Sequence, residues 1–265
     1  MQAPDLCVAL LPLEIKWGDK AANIDSLAEA AARTSPYTDL LILPETFSTG
    51  FPAGMPLEEV MEMAEPDNGP TISYVKELAK ARNCALAGSF VGIQDGKPVN
   101  RAFFAEPGGE IAFSNKRHLF TMAGEHKIFS PGQRRLHVRF RGWNIALAVC
   151  YDVRFPVWCR NVDNSYDLLI AVANWPSVRS GAWNALLPAR AIENEAYVCA
   201  VDCRGTDTSG LLYDGSSAII DFKGNTVARA QDDMPIAEAT LSLDKLRAFR
   251  EKFPAWRDAD KFCLL

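Results

Sequence analysis

The chain has 265 residues, 48% hydrophobic, 10% aromatic and 23% charged, the balance of a globular protein rather than a disordered tail, a collagen-like repeat or a coiled coil. Its 28 basic and 33 acidic residues leave a net charge of −5 with no basic stripe, which argues against a nucleic-acid or anionic-membrane partner. Apolar runs fall far short of the ~20 residues of a spanning helix, no basic n-region precedes the first of them, and Cys263 has two residues after it rather than the three of a prenylation box; a cytoplasmic protein is expected.

Short runs rich in Val, Ile and Leu alternate with helical patterns. Residues 6–13 read as a strand, and residues 19–33 repeat apolar positions at 24, 27, 28 and 31, one face of a helix. Residues 40–43 form a second buried strand, stopped by Pro44, which cannot donate to a ladder. Gly69-Pro70 opens a helix marked by Ile72, Val75, Leu78 and Ala79. Residues 85–93 and 99–106 predict a hairpin around Asp95-Gly96, and Pro107-Gly108-Gly109 turns the chain into 110–114. Residues 143–149 and 168–173 are buried strands, and 185–196 a helix. Strands over 197–201, 217–222, 226–230 and 236–241, with a turn at Gly224-Asn225, lead to a last helix over 243–252. No linker, charge block or repeat interrupts the series, so one domain over residues 1–265 is expected, a layered α/β protein with one mixed sheet or two.

Seven cysteines are an odd number in a chain too long to be a disulfide scaffold, and read as free thiols in a reducing compartment. Cys199 and Cys203 form a lone C-x3-C with no second pair at zinc spacing, and His118, His126 and His137 include no pair four apart, so no metal is expected. A dinucleotide-binding G-x-G-x-x-G and a nucleophile-elbow G-x-S-x-G are both absent, and residues 92–97 do not make a phosphate loop.

Three polar residues stand at the ends of predicted strands. Glu45 follows residues 40–44, Lys116 lies just past 111–114, and Cys150 follows 145–149. Each alone has a plain structural reading: a surface glutamate opening a loop, a solvated cation in a basic turn, a small buried hydrophobe. Together they change the odds, because ligands of open α/β sheets lie beyond the carboxyl ends of strands. A carboxylate can take a proton from a thiol, and an ammonium can stabilise a thiolate and an oxyanion. That set suffices for nucleophilic attack on an amide carbonyl or a nitrile carbon. Cys159 has no buried strand before it and reads as packing, as do Trp143 and Trp183.

With these residues in view, the chain resembles the nitrilase superfamily of carbon–nitrogen hydrolases. Leu41-Ile42-Leu43-Pro44-Glu45 is similar to the family's glutamate motif, Asn115-Lys116-Arg117-His118-Leu119-Phe120 to its lysine motif, and Ala148-Val149-Cys150-Tyr151-Asp152-Val153-Arg154-Phe155-Pro156 to its cysteine motif. Glu125 falls where the family carries a second glutamate that braces the site, and Pro188-Ala189-Arg190-Ala191-Ile192-Glu193-Asn194 resembles its later helix. Arg154-Phe155-Pro156-Val157-Trp158, Ala173-Asn174-Trp175-Pro176 and Glu251-Lys252-Phe253-Pro254-Ala255-Trp256 look like the bacterial omega-amidase group within it.

The resemblance implies a four-layer α-β-β-α sandwich that pairs through a helix layer into a homodimer. It implies an amidase that releases ammonia from 2-oxoglutaramate or 2-oxosuccinamate through a thioester on Cys150, without metal or organic cofactor. Glu45 would be the base, and Lys116 with the Tyr151 N–H would hold the oxyanion. Such substrates carry a carboxylate remote from the amide. Arg154, the nearest spare cation to Cys150 in sequence, is the candidate to bind it, against a reading as one half of a structural ion pair. Trp175, just past a strand end, is a candidate for lining the pocket. Other readings are a different hydrolase of the superfamily (aliphatic amidase, carbamoylase or nitrilase) and a catalytically retired small-ligand binder, against which the intact Glu45, Lys116 and Cys150 argue. A thiol oxidoreductase would need a C-x-x-C pair, and none occurs.

Overall fold

A computed structural model describes residues 4–52 and 54–262; Cys263 and the prenylation reading lie outside them. The first half of the chain forms β1 (Leu6–Leu10), α1 (Lys20–Ala32), β2 (Leu40–Ile42), α2 (Leu57–Met63), α3 (Pro70–Arg82), β3 (Ala85–Gln94), β4 (Lys97–Ala105) and β5 (Ile111–Asn115). Next come β6 (Leu136–Phe140), β7 (Trp143–Val149), α4 (Pro156–Cys159), β8 (Leu168–Ala173), α5 (Ser180–Asn194) and β9 (Tyr197–Asp202). The chain closes with β10 (Arg204–Thr206), β11 (Leu212–Asp214), β12 (Ala218–Ile220), β13 (Thr226–Arg229), β14 (Ala237–Leu241) and α6 (Leu243–Lys252).

The choice between one sheet and two is settled as two. One six-stranded sheet has the order β14-β1-β2-β3-β4-β5, the other β13-β12-β9-β8-β7-β6, and β10 with β11 makes a separate pair. Both sheets are mixed: β1, β2 and β3 run parallel, as do β7, β8 and β9, while the outer strands are antiparallel. Burial follows the two-residue period of a strand. Leu40 and Ile42 of β2 face the core between the sheets, where Ile145, Leu147 and Val149 of β7 meet them. Leu41 and Leu43 face the opposite way, onto Leu27 of α1 and Ile72 and Val75 of α3. Ala146 and Ala148 of β7 likewise turn outward to Trp183 and Leu187 of α5. The layers are therefore helix, sheet, sheet, helix. Each large apolar side chain buried this way contributes roughly 1.5–3 kcal/mol.

Local signals set several boundaries. The Asp19 side chain caps α1 by accepting from the Ala22 N–H at 3.0 Å. Pro70 opens α3 and Asn83, at φ 50°, ends it. Asp95 and Gly96 both take positive φ and close the β3–β4 hairpin. Two differences from the sequence reading have physical causes. Helix α5 starts at Ser180 rather than 185 and runs through Pro188, since buried Trp183 and Leu187 hold its first turns against the core. Strand β6 was not expected, because His137 and Arg139 break its apolar run. Its Leu136, Val138 and Phe140 still face the core between the sheets.

Candidate active site

Glu45 comes three residues after β2, Lys116 one after β5, and Cys150 one after β7. Strands β2 and β5 lie in one sheet and point the same way, β5 reaching that direction through two antiparallel steps from β3. Cys150 comes from the other sheet. The site therefore sits where the carboxyl ends of both sheets meet. Lys116 is gripped through its backbone, its N–H donating to Asn100 O at 2.9 Å and its carbonyl accepting from Gly132 N at 2.8 Å. Gly132 has to be glycine, since a Cβ there would lie 2.0 Å from the Asn115 carbonyl oxygen. Cys150 opens a short 3-10 turn (Cys150–Arg154) and adopts φ 47°, a left-handed conformation that side chains rarely take and that costs of order 1–3 kcal/mol.

Lys116, Glu45 and Glu125 form a buried trio, exposed by 2%, 1% and 0%. The Lys116 Nζ donates to Glu45 Oε1 at 2.9 Å and to both carboxylate oxygens of Glu125 at 2.9 Å. Asn100 Nδ2 also donates to Glu45 Oε1, at 2.7 Å, and the Asn174 N–H donates to Glu45 Oε2 at 2.9 Å. Glu125 stands in a 3-10 turn after Gly124 and accepts from the Phe120 N–H at 2.5 Å. Burial alone would lower the Lys116 pKa, but Glu125 and Glu45 outweigh it and hold the ammonium well above its ordinary value. Glu125 titrates above the usual carboxylate range because it is buried, although Lys116 opposes the shift. The Cys150 thiol is raised well above its ordinary value by burial, then by Glu45, with Lys116 pulling the other way. The resting sulfur is thus a neutral thiol beside a carboxylate and an ammonium, and its Sγ lies 3.9 Å from the Asn174 carbonyl oxygen.

Glu45, Lys116 and Cys150 line a cavity of about 310 Å³ together with Tyr151, Arg154 and Trp175, whereas Glu125 reaches it only through its bonds to Lys116. Tyr151 packs its ring against Phe120 and Phe155 at 5.0 and 5.1 Å. As the second residue of its turn it has an N–H with no acceptor within the turn. The Arg154 guanidinium lies 4.8 Å above the Trp175 ring, and that indole donates to Arg179 O at 2.8 Å. Arg154 makes no ion pair among the described residues, so a structural partner for it is not found there.

Several lining residues were not singled out from sequence. Arg179 is a second guanidinium at the cavity wall, 5.3 Å over the Phe120 ring, so Arg154 is not the lone spare cation. Asn174 was read only as part of a group-like stretch, and Asn100, which lies outside the lining but bonds Glu45, not at all. Its one sequence signal is an amide inside the apolar strand β4. Tyr213 and Asp207, joined at 3.0 Å, close the cavity from the β10–β11 side. Cys159 is buried with its Sγ toward Asp152 O at 3.4 Å, and Trp143 and Trp183 are fully buried, as packing residues would be. Among the described residues no group of three His, Cys, Asp or Glu side chains could hold a metal ion.

A thiol at a strand end, flanked by a carboxylate and an ammonium at a cavity where two mixed sheets meet, defines a class of hydrolase. The chain belongs to the carbon–nitrogen hydrolase family, whose model matches residues 7–251. Among individual proteins it is 41% identical to Omega-amidase YafV of Escherichia coli (strain K12), covering 98% of this chain and 99% of that one. It is 30% identical to the 2-oxoglutaramate amidase of Bacillus subtilis (strain 168), over 96% and 97% of the two chains. The crystal structure of a CN-hydrolase superfamily protein from Xanthomonas campestris, with an arsenic adduct in its active site, superposes with a TM-score of 0.93 at 38% identity, covering 99% and 100%.

Proposed function

We propose that this chain is an omega-amidase that hydrolyses the terminal amide of 2-oxoglutaramate or 2-oxosuccinamate through a thioester on Cys150. The observation that carries the reading is the meeting of the Cys150 thiol, the Glu45 carboxylate and the Lys116 ammonium at one cavity, in a chain 41% identical to an omega-amidase along its length.

In the proposed reaction Glu45 takes the thiol proton as Cys150 Sγ attacks the amide carbon. The carbonyl pair moves onto oxygen, and the Lys116 ammonium and the Tyr151 N–H hold that charge. Collapse of the intermediate breaks the C–N bond, and the proton on Glu45 leaves with ammonia. Glu45 then takes a proton from water as water attacks the thioester, and returns it to the departing sulfur. Glu125 keeps Lys116 in place and charged. Arg154 binds the remote carboxylate, a role supported by its free guanidinium and its seat on Trp175 at the cavity wall. We propose further that the protein works in a reducing cytoplasm, in keeping with its six described cysteines, which are unpaired. It would pair as a homodimer through its helix layer, where Val157 and Ile192 are 51% and 55% exposed. Sedimentation of the purified protein at the dimer mass checks the pairing.

Ammonia release across 2-oxoglutaramate, glutamine, asparagine, a carbamoyl amino acid and an aliphatic nitrile tests the function. Turnover of 2-oxoglutaramate well above the rest is expected, with a thioester on Cys150 visible by mass spectrometry. Preference for the nitrile or the carbamoyl compound would reassign the substrate, and no adduct with any of them would favour a binding protein.

A further inference from the structure

The motif segments around Lys116 and Cys150 hold two residues that do not line the cavity but bond to each other. Asp152, 2% exposed, is the third residue of the turn that opens at Cys150. Its Oδ1 accepts from the His118 N–H at 2.8 Å and also lies 2.8 Å from His118 Nδ1. Its Oδ2 accepts from the Val149 N–H at 3.1 Å. The His118 ring lies flat on Phe155, centroids 3.7 Å apart at 9°, and meets the edge of Trp158 at 5.8 Å. His118 stands two residues past Lys116, and Val149 immediately precedes Cys150. One buried carboxylate thus binds the loop that carries the ammonium and the turn that carries the thiol, which arise from different sheets. Among the described residues no backbone-to-backbone hydrogen bond joins segments 116–125 and 149–155.

We propose that Asp152 and His118 form a positioning clasp that fixes the separation of the Lys116 ammonium from the Cys150 sulfur. The clasp rests on the reading of Lys116 and Cys150 given above and adds to it what holds them in register. Neither residue touches substrate. Their effect passes through Lys116, whose charge favours the thiolate, while Glu45 and Glu125 disfavour it, and the titratable Cys203 and Tyr213 also face the sulfur. Displacing a reacting group by about 1 Å can cost of order 10²-fold in rate. A chain whose clasp is broken keeps its base, its cation and its nucleophile but loses their spacing.

The substitution Asp152→Asn tests this with little change of shape. An amide offers one acceptor where two N–H groups and the His118 ring converge, so its NH2 must face a donor. The expected result is a kcat lower by about 10²-fold, with KM for 2-oxoglutaramate within a few-fold. The pH profile of Cys150 alkylation should move to higher pH, because the ammonium that favours the thiolate has drifted away. His118→Ala spares both backbone bonds and should move the same two readouts less. It serves in place of Asp152→Asn should that variant fail to fold. Loss of kcat with the alkylation profile unmoved would reduce Asp152 to a purely structural residue, and unchanged kcat in both variants would overturn the clasp outright. Lys116→Ala is the control. If its alkylation profile stays at the wild-type pH, the reading of Lys116 fails rather than the clasp.

Discussion

Below the cavity, Glu45, Lys116 and Glu125 are each at most 2% exposed and share their hydrogen bonds with one another and with Asn100, Asn174 and Phe120. At its wall, Arg154 and Arg179 have no carboxylate partner among the described residues and lean on the faces of Trp175 and Phe120. The floor is a buried polar network, with only the Asn100 and Asn174 side-chain oxygens unpartnered among its described atoms, and a missing member would leave its neighbours buried and unpaired. The wall is two cations seated on aromatic faces and free to meet a ligand. A fixed network suits a charge that must develop in one place, and free guanidinium groups suit a part of the substrate that does not react. On this division, changes to the floor act on kcat and changes to the wall act on KM.

The largest expected effect is at the sulfur. Cys150→Ala should abolish ammonia release while the circular dichroism spectrum stays native, whereas Cys159→Ala should keep nearly full turnover; activity in the former would end the proposed mechanism. Next come the floor charges. Lys116→Ala should lower kcat by roughly 10²–10³ and Glu45→Gln by roughly 10²–10⁴, each with a smaller change in KM. Glu125→Gln should lower kcat by less than Lys116→Ala, because it loosens the ammonium without removing it. A Lys116→Ala enzyme within a few-fold of wild type would erase the distinction between floor and wall.

The wall gives the next effect. A hydrogen bond to a charged group contributes about 1.5–3 kcal/mol, so Arg154→Lys, which keeps charge but loses the planar fork, should raise KM for 2-oxoglutaramate by about tenfold or more. A small uncharged amide should be turned over as before. Equal losses on both substrates would make Arg154 a structural residue, and Arg179 the next to test.

The smallest effect lies beneath both regions. Asp202, at the end of β9, is fully buried; its Oδ1 accepts from the Trp175 N–H at 2.7 Å and its Oδ2 has no partner among the described residues. Burial raises its pKa well above the ordinary value. The unfolded chain releases this proton near pH ~3.9 while the folded chain retains it. The stability it contributes is therefore full below that pH and is lost as pH rises toward the folded pKa. Asp202→Asn escapes this loss, so its melting temperature relative to wild type should climb between pH 4 and 8. A constant difference across that range would mean that Asp202 is ionised in the folded protein.

Much of this was legible in the sequence because strands and their ends are local features. The strand over residues 143–149 and the helix over 243–252 coincide with β7 and α6 to the residue. Glu45, Lys116 and Cys150 stood out as polar residues after apolar runs. What a single sequence could not carry were contacts between distant elements. Asn174 meets Glu45 across 129 residues and Asp152 meets His118 across 34, and no local pattern marks either pair. Arg179 was passed over because it precedes a helix that reads as starting later, at residue 185. The two-sheet arrangement was equally nonlocal, since β14, last in the chain, pairs with β1, the first.

The division of the site between sheets has a consequence for the chain as a polymer. Every strand of the first sheet except β14 precedes the exposed residues Gln133 and Arg134, and every strand of the second follows them. A polypeptide cut there would yield one fragment bearing the carboxylates and the ammonium and another bearing the thiol. On the proposed mechanism neither could turn over an amide. Ammonia would then appear only when the two fragments found each other and β14 closed onto β1, so that its release would report their reassembly.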